Sequence, residues 1–253
     1  MSDLEDAIDT HLSSATGVPF AVFDFDNTCI INDVGEATLA YLCGHELLRD
    51  RSLIGEEQDE ADYHRRVFQT YYALIKEGQL KAAYMLIGRL FSGFTPGEAE
   101  AVTLAAITEE GSRIGSKVLY GLHIERGLAV RRDVLALMYF LRGREVRIWI
   151  VSASAEPAVR AAMKHFGIEG DLIATKSVLN NGVFTSQLES PMPIIEGKVE
   201  CMRTFIDSER APLLAIDESP TGLSLLETAT IKVVVDRNNK LTDVARERGW
   251  FLL

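Results

Sequence analysis

The most constraining stretch of the chain is Phe20-Ala21-Val22-Phe23-Asp24-Phe25-Asp26-Asn27-Thr28-Cys29, where a short apolar run delivers two aspartates into a turn. The run is too short for a helix and rich in aromatic and β-branched residues, so it predicts a buried strand. Strand alternation puts Asp24 and Asp26 on one face and Phe25 on the other. In an open parallel sheet, ligands sit beyond the carboxyl ends of the strands. Two carboxylates a pleat apart repel each other unless a cation or a shared proton lies between them. Such a pair can hold a hard metal, and one member can attack while the other shuttles protons.

The rest of the chain divides by pattern. Residues 2–14 predict a short amphipathic helix with Leu4, Ile8 and Leu12 on one face, ended by Gly17 and Pro19. From about Asn32 to Arg126, apolar residues recur at helical spacing, as in Val67, Tyr71, Leu74 and Ile75, then Ala83, Leu86, Ile87 and Leu90. Gly44, Gly55, Gly78 and Gly93 punctuate this block, which predicts four or five helices and no strands. Thr95 is placed to cap one of them, with Pro96 at its first position.

Strand–helix alternation then returns. Helices are predicted over Arg132–Leu141, Glu156–Phe166 and Val199–Ile206. Strands are predicted over Val146–Val151, Leu172–Thr175, Leu213–Ile216 and Ile231–Val235, with a hairpin about Asn180-Asn181-Gly182. This is the pattern of an α/β fold with a parallel sheet and helices on both faces. It divides the chain into an α/β core, residues 1–31 and 127–253, and an inserted helical cap domain, residues 32–126. The insertion leaves straight from the aspartate strand, which places it over the site. The alternative is a helical subdomain with no role in recognition.

Three further stretches carry chemistry. Val151-Ser152-Ala153-Ser154 ends a core strand and opens a helix, where hydroxyls and free backbone N–H groups suit a phosphate. Ser154 reads as the N-cap, with Pro157 in the first turn, and both serines as caps is the other reading. Glu196-Gly197-Lys198 precedes a helix and brings a lysine close to the next core strand. Leu213-Leu214-Ala215-Ile216-Asp217-Glu218-Ser219-Pro220-Thr221-Gly222 ends an apolar strand in an acidic loop.

In this order, the four stretches resemble the motifs of the haloacid dehalogenase-like (HAD) superfamily. Asp24-Phe25-Asp26-Asn27-Thr28 is similar to the first motif, Asp-x-Asp-x-Thr. Ser152 matches the second, Gly197-Lys198 the third and Asp217 the fourth, and Val146 to Ile168 is most similar to the phosphoserine-phosphatase branch. The resemblance implies a HAD-like Rossmannoid core with a central parallel sheet plus a helical cap. It departs in the fourth motif. Ile216 replaces the usual glycine, and Thr221 or Leu223 stands where a second acid is expected, which leaves Glu218 as the substitute.

The resemblance also implies a mechanism. Asp24 would attack phosphorus to form an aspartyl-phosphate, and Asp26 would protonate the leaving oxygen and then deprotonate water. Ser152, Ala153, Lys198, Asn27 and Thr28 would bind the phosphoryl group. Mg²⁺ would be held by Asp24, the backbone carbonyl of Asp26, Asp217 and, as substitute, Glu218. An acid at Asp26 favours phosphate esters over carbon–halogen bonds. Asp33 and Glu36 stand where that branch reads a substrate ammonium, as in phosphoserine, phosphoethanolamine or phosphocholine. Capping of the first cap helix is the equal alternative for them. Tyr63, His64, Arg65, Arg66, Tyr71 and Tyr72 are candidates for the cap side. The competing activities are a phosphotransferase or phosphomutase of the same fold, and a catalytically impaired HAD domain acting as a binding module.

Composition bounds the partners. A net charge of −11 argues against a general nucleic-acid or anionic-membrane binder, but not against a small phosphorylated substrate. Cys29, Cys43 and Cys201 are scattered and odd in number, which fits a reducing cytoplasm. The acidic amino end reads as no signal peptide, and no apolar run is long enough to span a bilayer. The expected assembly is a monomer or homodimer.

Overall fold

The computed structural model describes residues 2–13, 17–55 and 60–253. The first part of the chain comprises α1 (Ser2–Leu12), β1 (Phe20–Phe23), β2 (Ile30–Ile31), α2 (Val34–Gly44), α3 (Glu60–Lys76), α4 (Leu80–Gly88) and α5 (Pro96–Glu110). Then come β3 (Gly115–Leu119), β4 (Leu122–Arg126), β5 (Ala129–Val130), α6 (Arg132–Arg142), β6 (Arg147–Ala155), α7 (Glu156–Phe166) and β7 (Asp171–Thr175). The last part holds β8 (Ser177–Asn180), β9 (Val183–Leu188), α8 (Gly197–Phe205), β10 (Leu214–Asp217), α9 (Leu223–Thr228), β11 (Ile231–Val234), α10 (Lys240–Arg248) and β12 (Phe251–Leu252).

Six of these strands form one parallel sheet in the order β12-β11-β10-β1-β6-β7. Val22 of β1 stands between Ala215 of β10 and Trp149 of β6. The chain order runs outward in both directions from β1, so β1 is a switch point, where such sheets leave a crevice at their carboxyl ends. Alternate residues of β1 serve the two faces. Ala21 and Phe23 join Leu4 and Ile8 of α1 and Val134, Leu137 and Met138 of α6. Phe20 and Val22 join Cys201 and Met202 of α8 and Leu225 of α9.

Most predicted elements stand where the pattern put them. Thr95 caps α5 in a full capping box with Glu98, and Gly167 ends α7 in the left-handed conformation. Helix α1 ends at Leu12; residue 14 of its predicted span lies outside the described residues. The 32–126 block, however, contains strands. β3 and β4 pair as an antiparallel hairpin turned by Tyr120 and Gly121, both at positive φ (48° and 81°). The hairpin faces solvent along much of its length, so it has no buried alternation to betray it. The two-residue strands β2 and β5 also pair, which brings the points where the chain enters and leaves this block side by side. No helix among the described residues is long and apolar enough to cross a membrane.

Candidate active site

The carboxyl ends of β1, β6 and β10 and the start of α8 open onto a cavity of about 210 Å³. Asp24, Asp26, Ser152, Lys198 and Glu218 line its sheet side. Asp33, Glu36, Tyr71, Ile75, Leu80 and Tyr84, from α2 to α4 and their caps, also line it. Residues 174 positions apart thus meet: Lys198 Nζ donates to Asp24 Oδ1 at 2.7 Å and to Asp217 Oδ2 at 2.8 Å. Lys198 is 4% exposed and Asp217 fully buried.

Two glycines make this approach possible. A Cβ at Gly197 would overlap the Met192 carbonyl, and one at Gly222 would overlap the Asp217 carboxylate. The Asp217 carboxylate is held at its other oxygen, Oδ1, by the backbone N–H groups of Glu218 (2.9 Å) and Ser219 (3.0 Å). It is therefore a fixed carboxylate at the end of β10, and Ser219 is the N-cap of the turn that follows.

Asp24, Asp217 and Glu218 offer carboxylate oxygens within 4.8 Å of one another. Burial raises the Asp217 carboxyl above its ordinary range against the opposing pull of Lys198. Glu218 is raised well above its range, by burial first and then by Asp24 and Asp217. Three buried carboxylates against one lysine leave negative charge uncompensated, and an all-oxygen set suits a hard divalent cation such as Mg²⁺. Glu218, next to Asp217, is the third carboxylate of this cluster. Thr28 departs from its implied phosphate-binding role. It is fully buried behind the cavity wall, where its hydroxyl donates to Glu218 Oε2 at 2.6 Å and lies 3.2 Å from Asp24 Oδ2.

Asp26 sits apart from that cluster. Its Oδ1 accepts the Val34 N–H at 2.8 Å, and its Oδ2 accepts the Ser154 hydroxyl at 2.7 Å and the Ser152 hydroxyl at 3.3 Å. Burial, then the nearby Asp33, raises its carboxyl well above the ordinary range, which favours a proton on it. The expectation that Ser154 caps α7 is corrected here. Strand β6 runs on through Ser154 to Ala155, and Ala155 is the N-cap, with no side-chain cap bond. The β6–β7 register shifts between Ser152 and Ala155, and Ala153 lines the cavity beside both serines. Asn27, in the left-handed region at φ 58°, also lines the cavity.

Next to Asp26, Asp33 does cap α2, accepting the Glu36 N–H at 2.9 Å, and lines the cavity as well. Burial and then Glu36 push its carboxyl up to about 7. Glu36 is gripped by two tyrosines: Tyr71 donates to Oε1 at 2.9 Å and Tyr72 to Oε2 at 3.2 Å. Tyr63, His64, Arg65 and Arg66 do not line this cavity; Tyr63 instead donates to the Asp50 carbonyl at 2.6 Å. Sequence reasoning missed Tyr84 and Leu80. They lie one turn apart on α4, beside rather than on the Ala83–Leu86–Ile87–Leu90 stripe, and an i, i+4 pair off the core stripe was the available signal.

Comparison with known proteins agrees with this geometry. The chain is 24% identical over 258 residues to the phosphorylcholine phosphatase of Pseudomonas aeruginosa, covering 79% of this chain and 68% of that one. Among solved structures, a protein of Bordetella pertussis Tohama I superposes with a TM-score of 0.71 at 19% identity, covering 94% of this chain and 99% of the other. A phospho-aspartyl intermediate analogue of phosphoserine phosphatase superposes with a TM-score of 0.57 at 14% identity, covering 94% of each chain. Residues 21–216, most of the chain, match the haloacid dehalogenase-like hydrolase family, and the protein belongs to that family.

Proposed function

We propose that the protein is a Mg²⁺-dependent phosphomonoesterase that hydrolyses a small phosphate ester carrying an ammonium group, through an aspartyl-phosphate on Asp24. The observation that carries this reading is one cavity lined both by Asp24, Asp26, Ser152 and Lys198 and by Glu36, which Tyr71 and Tyr72 hold. The phosphatase names among its relatives support the same chemistry.

In this reading an Asp24 oxygen forms the new bond to phosphorus as the ester P–O bond breaks. Asp26, whose carboxyl burial shifts toward the protonated form, gives its proton to the departing oxygen. Asp26 then takes a proton from water as that water displaces the Asp24 oxygen. Ser152 and the Ala153 backbone hold the phosphoryl oxygens, while Lys198 keeps Asp24 oriented and offsets the charge that develops. Asp24, Asp217 and Glu218, with the Asp26 backbone carbonyl, are the residues that would hold Mg²⁺. When bound, it supplies positive charge to the phosphoryl group and to the buried carboxylates. Glu218 in the carboxylate cluster weighs against the impaired binding-module alternative.

Residues 32–126 act as a cap in this reading, since Asp33, Glu36, Tyr71 and Tyr84 from this block line the same cavity as Asp24, Asp26, Ser152 and Lys198. Carboxylates and tyrosine faces suit a cationic head group, and cation–π contact adds to the charge attraction. Among the described residues, Lys198 is the one cation lining the cavity, and it is committed to Asp24 and Asp217. A substrate carboxylate has no cationic partner there, so phosphocholine and phosphoethanolamine fit better than phosphoserine. Three buried or packed cysteine thiols suit a reducing cytoplasm.

The test is kcat/KM for phosphocholine, phosphoethanolamine, phosphoserine and p-nitrophenyl phosphate, for wild type and Glu36→Gln. The expected result is a preference for the first two, with Glu36→Gln raising their KM about tenfold and leaving p-nitrophenyl phosphate nearly unchanged. Equal rates on all four esters, or no effect of Glu36→Gln, would contradict the ammonium reading.

A further inference from the structure

We propose that Ser154 is a positioning residue for the Asp26 proton transfer. It holds the Asp26 carboxyl so that an open lone-pair direction faces the ester oxygen that departs. The proposal rests on the phosphatase reading above and concerns a residue that the family's motifs do not assign.

Asp26 is 9% exposed, with the acids Asp24 and Asp33 as its charged neighbours, and among the described residues no lysine or arginine is paired with it. Neutral donors must therefore fix its orientation. A carboxyl group has about four lone-pair directions. The Val34 N–H holds one of them on Oδ1 at 2.8 Å and the Ser154 hydroxyl one on Oδ2 at 2.7 Å, and both stay in place when the more distant Ser152 hydroxyl, 3.3 Å from Oδ2, turns to the phosphoryl group. The directions left open serve the mobile proton. As the ester P–O bond breaks, its electron pair stays on the leaving oxygen and takes that proton. The Ser154 hydroxyl neither gains nor loses one.

The chain keeps Ser154 in this place in three ways. Strand β6 continues past Ser152, so the i, i+2 spacing turns both hydroxyls to the cavity. Helix α7 takes Ala155 rather than Ser154 as its N-cap and forgoes a side-chain cap that a serine would have supplied. Gly35 leaves the necessary room, because a Cβ there would stand 3.0 Å from the Ser154 hydroxyl oxygen and 3.1 Å from Asp33 Oδ1. The two serines also differ in task. Ser152 accepts the Ser154 N–H at 3.1 Å and lies farther from Asp26, so its own proton is free to turn to a phosphoryl oxygen.

The experiment compares two esters of similar size, p-nitrophenyl phosphate and benzyl phosphate. Nitrophenolate departs unaided, whereas benzyl alkoxide needs a proton as it leaves. The readout is kcat/KM, which covers steps only through the first P–O cleavage and so excludes breakdown of the aspartyl-phosphate. Ser154→Ala should lower kcat/KM for benzyl phosphate about tenfold, a fraction of the roughly 10²–10⁴ that a whole general acid contributes, and change p-nitrophenyl phosphate by less than about twofold. Ser152→Ala should lower both alike. Equal losses on both esters in Ser154→Ala, or no loss on benzyl phosphate, would overturn the positioning role while leaving the phosphatase reading intact. A wild type that releases phosphate from neither these esters nor phosphocholine would overturn the phosphatase reading and this inference with it.

Discussion

Replacing Lys198 with methionine should remove a large share of the protein's stability, and the loss should depend on metal and pH. The Lys198 ammonium lies 2.7 Å from Asp24 and 2.8 Å from Asp217, with all three groups buried. At an effective dielectric of about 20, each contact attracts by about 6 kcal/mol. Desolvation cancels most of that in the intact protein, at several kcal/mol per ion. Methionine fills similar volume but strands two aspartates beside Glu218, and breaking a buried pair in this way costs about 3–5 kcal/mol. Set against the roughly 5–15 kcal/mol that holds a domain folded, this is close to a limit. The assay is urea unfolding at pH 8 in EDTA, where the midpoint should fall with an unchanged slope. Mg²⁺ should restore part of the loss by giving Asp24, Asp217 and Glu218 a counter-charge. At pH 5 the loss should shrink, because the stranded carboxyls then take up protons. A Lys198→Met protein within about 1 kcal/mol of wild type at pH 8 in EDTA would refute the reasoning.

Two further substitutions test other parts of the site. Burial and Glu36 push Asp33 up to about 7 from the model-compound value of 3.8, so the folded protein holds this proton at pH values where the unfolded chain releases it. Wild-type stability should therefore fall as pH rises from roughly 4 to 7. Asp33→Asn, which keeps the α2 cap, should flatten that fall and gain about 1–4 kcal/mol at pH 8 while weakening binding of phosphocholine. Urea melts at pH 5 and pH 8 decide this, and an Asn variant less stable than wild type at pH 8 contradicts it. Gly222→Ala puts a methyl group where the Asp217 carboxylate stands. It should cut kcat/KM by about 10²-fold and raise the Mg²⁺ concentration for half-maximal rate, whereas unchanged kinetics would mean that Asp217 is not held as described.

What the sequence revealed follows from how each element is buried. Strand β1 was legible because it is apolar on both faces and ends abruptly in two acids, a combination that a helix or a surface loop does not need. Lys198 was legible through its place before a core strand and the resemblance of Gly197-Lys198 to a family motif, and the structure adds that Gly197 admits the Met192 carbonyl. The β3–β4 hairpin was illegible because its exposed strands carry no core pattern and its turn uses Tyr120 at a positive φ. Ser154 misled because a serine after a strand and before a proline-containing first turn satisfies the local rules for a cap. A tertiary contact with Asp26, 128 positions away, outweighed them. Glu218 reaches the carboxylate cluster from the loop after β10, a placement that spacing along the motif does not convey.

The most direct test of the account is phosphate release from phosphocholine by wild type and Asp24→Asn, each with Mg²⁺ and with EDTA. The account predicts turnover by wild type with Mg²⁺, its loss in EDTA, and its loss in Asp24→Asn under both conditions. Turnover by Asp24→Asn comparable to wild type would contradict the assignment of Asp24 as nucleophile and the mechanism built on it.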